Sequence, residues 1–285
     1  MSIDAKLVAE LRKRTALPMM KCKAALVEAD GDIELAAINL RKQGVKAAEK
    51  VAHRELKEGR VFSTVGKNGA CAVSLLCQTD FVARNNEIVS LGNQLAGELM
   101  EKAPADQGTG DSIADFAMAD GKTLKEISQD FALKIRENIQ VGDYARFNAD
   151  NSHVGVYMHH DEKVAVVVEL AGENATDNED VKTLANELGM HITWNKDVKA
   201  LTRDGIDQAW IAQEREIFAA QVQDQPEERR EKIAEGKLSK RLKDVVLLEQ
   251  PFIKDDKKSV AQAIKEVGDK IGGGLELRRF ARVSA

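Results

Sequence analysis

Aromatic side chains are scarce in this chain: Phe, Trp and Tyr together make up 4% of its 285 residues. An aromatic that falls on a polar corner, outside any apolar run, therefore needs an explanation. Cysteine is scarcer still. Cys22, Cys71 and Cys77 are an odd number set among apolar neighbours, which suits buried thiols in a reducing cytosol better than a disulfide framework. Excess positive charge is missing too. A net charge of −5 argues against a general nucleic-acid surface, because phosphate binding needs concentrated Lys and Arg. No apolar run is long enough to span a bilayer, and Met1–Lys6 shows neither a secretory nor an Arg-rich transit pattern. The expectation is a cytoplasmic chain with no direct nucleic-acid partner and no membrane partner. Catalytic motifs are also absent. Gly272-Gly273-Gly274 is not followed by Lys-Ser or Lys-Thr, and neither a Gly-x-Ser-x-Gly elbow nor a paired cysteine motif occurs. Nothing marks an enzyme or a cofactor site, and none is expected. The chain reads as one built to contact something.

What is present describes a well-packed globular protein of two or three modules, 43% hydrophobic and 31% charged. Residues 1 to about 44 read as three short helices. Leu7, Val8 and Leu11 share a face of the first, and Cys22, Ala25, Leu26 and Ala29 a face of the second. Gly31 stops the second helix and Asp32 caps the third, which Gly44 is expected to end. Met19 and Met20 lie after the first helix; two adjacent methionines cannot both face so small a core, so they are either filler or an adaptable contact surface. Residues 45–58 read as a charged helical connector. The period then turns to alternation, and Gly66-Lys67-Asn68-Gly69 reads as the turn of a β-hairpin, with Asn68-Gly69 as its signal. A helix succeeds it, with Ile88, Leu91, Leu95 and Leu99 on one face. Residues 103–112 read as a flexible loop, and helical pattern returns through Leu124, Ile127, Phe131 and Ile135.

The second strand of that hairpin ends in a polar corner, Gln78-Thr79-Asp80-Phe81. Asp80 can cap the turn beyond it. Phe81 either tucks under the sheet edge as core or protrudes as an anchor beside a carboxylate. A repeat bears on the choice. Slid against itself by 93 positions without gaps, the chain places Val61 on Val154, Ala72 on Ala165, Val73 on Val166, Ile88 on Val181 and Leu95 on Leu188. A hairpin-plus-helix unit thus occurs twice. Phe81 falls on Asn174, which favours the protruding reading, since a generic core position would stay apolar.

The second hairpin turns through His159-His160-Asp161, whose adjacent side chains are expected to point apart and so to make a poor metal site. Asp204 to about Leu242 reads as an antiparallel helical hairpin broken near Pro226. Trp210 and Ile217, like Ile211 and Phe218, are spaced by seven, and their stripe packs either on its own hairpin or on another copy of the chain. Val245–Ile253 reads as an apolar strand, and residues 259–268 as a final helix.

Three blocks carry a resemblance. Gln78-Thr79-Asp80-Phe81-Val82-Ala83 resembles the signature of the elongation factor Ts family. The series Leu11-Arg12-Lys13-Arg14-Thr15, Met19-Met20, Cys22–Leu26 and Gly31–Glu34 is similar to that family's first module. Leu248–Asp255 is similar to a block near its end. The resemblance spans nearly the whole chain. It implies an α+β fold: an N-terminal three-helix ubiquitin-associated-like bundle (1–54), a core of two repeated hairpin-plus-helix subdomains (55–140 and 141–200), an inserted antiparallel helical hairpin for dimerisation (201–243), a return to the core (244–258) and a short C-terminal module (259–285).

The resemblance also implies a role, guanine-nucleotide exchange on elongation factor Tu. Thr79, Asp80, Phe81 and Val82 would form a wedge that disturbs the partner's Mg²⁺ site and loosens GDP. Leu11, Met19 and Met20 would pack on a helix of the partner's nucleotide-binding domain. His159, in the Tyr157-Met158-His159 turn, would touch the same domain. Many relatives continue past their Arg-Phe strand with a Gly-Glu-Gly motif and a terminal helix; here Arg279-Phe280-Ala281-Arg282-Val283 runs on to Ala285, so that helical contact is expected to be missing or reduced. The rival reading is an adaptor or chaperone that binds the same GTPase without driving exchange.

Overall fold

A computed structural model describes residues 3–285. Three helices come first, α1 (Ala5–Thr15), α2 (Met19–Glu28) and α3 (Ile33–Val51). Asp4 caps α1, and Asp32 caps α3 by accepting from the Glu34 and Leu35 amides at 2.9 and 3.0 Å, satisfying donors that a helix N-terminus leaves open. Val8, Leu11, Cys22, Ala25, Leu26, Ala36 and Leu40 close the bundle core. The third helix does not stop at Gly44 as expected but runs seven residues further. Gly44 is buried where α6 (Leu124–Ile135) crosses α3, and a Cβ there would lie 3.4 Å from the Gln129 carbonyl oxygen. The glycine permits a close helix crossing; it does not end the helix.

The hairpin strands are β1 (Glu58–Gly66) and β2 (Gly69–Cys77), with Lys67-Asn68 between them, so the turn falls at Gly66–Gly69 as the sequence indicates. After them come α4 (Asp80–Ala83) and α5 (Asn86–Lys102). The expected loop at 103–112 holds a three-residue strand, β3 (Gln107–Thr109), and a turn of 3₁₀ helix (Gly110–Ile113). That strand exists because β4 (Gln140–Asn148) offers it an edge: Gln107 pairs with Ala145 and Thr109 with Asp143, antiparallel. Strand order is β1-β2-β4-β3.

A three-stranded sheet comes next, β5 (Ser152–Met158), β6 (Val164–Gly172) and β9 (Leu275–Ser284), with α7 (Glu179–Trp194) across β5 and β6. Sliding β1, β2 and α5 along the chain by the repeat offset lands on β5, β6 and α7, and the paired positions Val73/Val166, Ile88/Val181 and Leu95/Leu188 are all buried. Each copy seats a strand aromatic on a helix glycine. A Cβ on Gly92 would fall 2.2 Å from the Phe62 ring, and one on Gly189 2.2 Å from Tyr157 Cβ. Around α7 gather Val166, Val168, Leu170, Leu188, Ile192, Leu247, Phe252 and Ile264.

The helical hairpin is α8 (Gln208–Ala220) and α9 (Glu227–Val245). Its stripe packs on its own hairpin: Leu238 and Leu242 are buried with Ile206, and Trp210, Ile211 and Phe218 lean on them. Lys199 and Arg241 flank the Trp210 ring at 5.3 and 5.6 Å. Val245–Ile253 is not a strand. Val245 ends α9, Val246 makes an isolated parallel bridge to Ala200, Leu247–Glu249 is a 3₁₀ turn, and Pro251–Phe252 pairs, as β7, with β8 (Asp255–Ser259). An apolar run records burial, not conformation. Ser259 and Gln262 form a capping box for α10 (Val260–Lys270).

The fold is therefore α+β. By contact density it divides into two units. One gathers residues up to Thr64, Val73–Ala145 and Val283–Ala285; the other gathers Val65–Ala72 and Arg146–Arg282. Within the second, Glu169 is only 3% exposed yet satisfied: Ser152 Oγ donates to it at 2.8 Å and Arg279 Nε at 2.5 Å. A buried carboxylate is tolerated only with partners of this kind.

Candidate functional site

The corner after β2 is built by Thr79. Its backbone is extended (φ −130°, ψ 149°), and its hydroxyl oxygen accepts from the Val82 amide at 3.4 Å, which starts the single turn of α4. Asp80 was expected to be the cap; it is instead the first residue of the turn. Its exposed carboxylate lies 3.9 Å from Arg84, an ion pair in water that holds little. Successive side chains on a helix are about 100° apart, so Val82 and Ala83 point inward and are buried while Phe81 points out, 83% exposed. Val82, expected among the contact residues, is therefore an internal support of the turn. Beneath the corner the Cys77 thiol donates to the Thr79 carbonyl at 3.2 Å. In the second repeat the counterpart of Phe81 is tied down, since the Asn174 amide donates to the Ile271 carbonyl at 2.9 Å.

In the same unit, Met19 and Met20 open α2 and are 55% and 72% exposed. They border a groove of about 1000 Å³ lined by Val8, Leu91, Ile127 and Phe131. Its polar rim is paired internally, with Lys122 to Asp130 at 2.5 Å and Lys134 to Glu87. Leu11 does not belong to this surface. It is fully buried at the centre of the bundle, as the helical periodicity alone required, and the contact role implied by resemblance is corrected. Groove and corner share α5: Glu87 in its first turn lines the groove, and α4 ends three residues before that helix starts.

His159 lies in the second unit, in the turn after β5. Its Nδ1 is 3.3 Å from the Tyr157 hydroxyl, and its ring meets that of His160 edge-on at 4.3 Å. The two imidazoles touch, where the sequence leads one to expect them to point apart; the turn is closed by the Glu162 amide donating to the His159 carbonyl at 2.9 Å, with Glu162 in a left-handed conformation (φ 58°). No group of three or more His, Cys, Asp or Glu side chains suited to a metal ion occurs among the described residues.

A family model described as "Elongation factor TS" matches residues 78–285, starting at the first residue of the corner. The chain belongs to the elongation factor Ts family. A relative of that name from Symbiobacterium thermophilum is 37% identical, the match covering 98% of this chain and 91% of the relative. One from Desulfovibrio desulfuricans is 35% identical over 99% and 98%, and one from an Azoarcus species 38% identical over 94% and 88%. Elongation factor Ts membership places the chain in translation, that is, in protein biosynthesis.

Two features of the molecule escaped sequence reasoning. Glu137 accepts from the Thr79 hydroxyl at 3.0 and 3.3 Å across 58 residues of chain, and no periodicity or motif announces such a pairing. Trp194, 82% exposed at the end of α7, was passed over because it closes an apolar helical pattern. Among the described residues no helix is long and apolar enough to cross a membrane.

Proposed function

We propose that this chain is a guanine-nucleotide exchange factor that binds GDP-bound elongation factor Tu, disturbs its Mg²⁺ site and promotes GDP release so that GTP can enter. The observation that carries the reading is Phe81, held out in solvent next to the exposed carboxylate of Asp80 on a capped turn. An exposed Phe forgoes about 1.5–3 kcal/mol of burial, a gain that a partner's pocket can supply. An exchange factor must favour the nucleotide-free state, since only differential affinity moves an equilibrium. A side chain that fits only the distorted partner meets that condition. Asp80 adds repulsion toward phosphate and competes for the ligands of the cation.

In this reading residues 1–54 are a partner-binding module that contacts through Met19 and Met20, and His159 supplies a contact from the second core subdomain. The subdomains are 55–140 and 141–200. Residues 201–243 serve self-association, 244–258 return to the core, and 259–285 form a short C-terminal module. The protein is no enzyme, requires no cofactor, and works in the cytoplasm. The test is release of a fluorescent GDP from elongation factor Tu with the native chain and with Phe81→Ala. Many-fold faster release with the native chain, and clearly slower release with the variant at saturating concentration, is expected. Binding without acceleration would sink the exchange reading and leave the adaptor reading in its place.

A further inference from the structure

The Thr79 hydroxyl has one proton and two lone pairs. Its proton goes to the Glu137 carboxylate, 3.0 Å from one oxygen and 3.3 Å from the other. That commitment turns a lone pair toward the Val82 amide, and this contact caps α4. A helix of one turn has no propagation to sustain it, so its cap decides whether it forms. If the hydroxyl rotor were free, the cap would hold in only some of its staggered wells, and Phe81 would lose its fixed direction.

Glu137 itself stands on a rigid base. Arg136 ends α6 in a left-handed conformation (φ 65°), which swings the next residue back toward the corner. The Arg136 carbonyl accepts from Arg54 Nη1 at 3.1 Å, and the Asn138 side-chain amide donates to the Ala52 and Arg54 carbonyls at 3.3 Å each. Arg54 also donates to Gln78 Oε1 at 3.4 Å. The backbone on both sides of Glu137 is thereby tied to the exit of α3 and to the corner. The Cys77 thiol is pushed up to about 11, first by burial and then by the Glu137 charge, so it stays a protonated donor to the Thr79 carbonyl.

We infer that Glu137 is a positioning residue for the exchange wedge: its carboxylate orients the Thr79 hydroxyl, the hydroxyl caps α4, and the capped turn aims Asp80 and Phe81. This rests on the exchange reading above, and its test separates the two. Native chain, Glu137→Ala and Glu137→Gln are compared in amide hydrogen exchange and in fluorescent-GDP release from elongation factor Tu over a range of factor concentrations. Glu137→Ala should speed exchange of the Val82, Ala83 and Arg84 amides roughly five- to tenfold, the worth of the one neutral hydrogen bond from Val82 to the Thr79 hydroxyl that the turn would lose, and leave the amides of α7 unchanged. It should lower the maximal GDP release rate by a similar factor and move the half-saturating concentration little. Glu137→Gln keeps an acceptor for the hydroxyl and should restore both readouts. Unchanged corner amides in Glu137→Ala would overturn the inference, and so would failure of Glu137→Gln to restore them. A loosened corner in Glu137→Ala, together with a native chain that does not accelerate release, would uphold the positioning and overturn the exchange reading alone.

Discussion

Leu11 and Met20 sit nine residues apart in the same bundle and should fail in opposite ways. Leu11 has no exposed surface, so Leu11→Ala removes packing from a core that few residues build. A loss of about 2–5 kcal/mol is expected, read as an earlier midpoint in chemical unfolding. Met20→Ala should leave that midpoint within about 0.5 kcal/mol and weaken binding to elongation factor Tu, measured by titration calorimetry. Equal stability losses in the two variants would refute the assignment of Met20 to a contact surface. Sequence had the material for this distinction: the spacing of Leu7, Val8 and Leu11 marked one buried face, and the doubled methionine could not fit the same core. Resemblance blurred it by grouping Leu11 with the contacts. Phe81 was legible for a similar reason, because the repeat places a polar Asn174 at its counterpart.

At the scale of elements, α7 is pinned to the Gln250–Ile253 segment by His191. The Ile253 amide donates to Nδ1 at 3.3 Å, which requires that nitrogen to be unprotonated, and Nε2 is 2.8 Å from Gln250 Oε1. Gln250 in turn donates to the Asp244 carbonyl near the end of α9 at 2.7 Å. Burial lowers the imidazole below its ordinary range, opposed by the Gln250 contact. The unfolded chain therefore takes up this proton first as pH falls. The stability from the neutral ring is fully present above about pH 6.5 and declines below it, by up to about 1.4 kcal/mol per pH unit. Thermal unfolding between pH 7.5 and 5 should show this decline, with a shallower slope in His191→Gln. His153, lowered by burial and by Lys182, contributes in the same direction and accounts for part of the slope that remains. An identical slope in the variant would exclude His191 as a source. The apolar Val245–Ile253 run was misread as a strand because its burial around this pin comes from helix end, 3₁₀ turn and short strand in succession.

For the molecule as a whole, the open question of partners turns on the helical hairpin. Its stripe is largely used internally, and Ile217 is the exposed large apolar side chain left on α8 and α9 among the described residues. Self-association through 201–243 should therefore be weak: reversible in sedimentation at micromolar concentration, and lost in Ile217→Glu without change in thermal stability. A dimer that survives this substitution would place the contact elsewhere on the chain.

Sequence alone determined the α+β class, the duplicated hairpin-plus-helix unit and the helical hairpin, and favoured a protruding Phe81, because each comes from local periodicity or from comparing the chain with itself. Tertiary structure alone decided whatever depends on a neighbour distant in sequence. Gly44 lies inside a helix because α6 crosses there, Gln107–Thr109 is a strand because β4 lends it an edge, and Thr79 caps α4 with its proton held by Glu137, 58 residues away. Periodicity records which side of an element is buried; only packing determines against what.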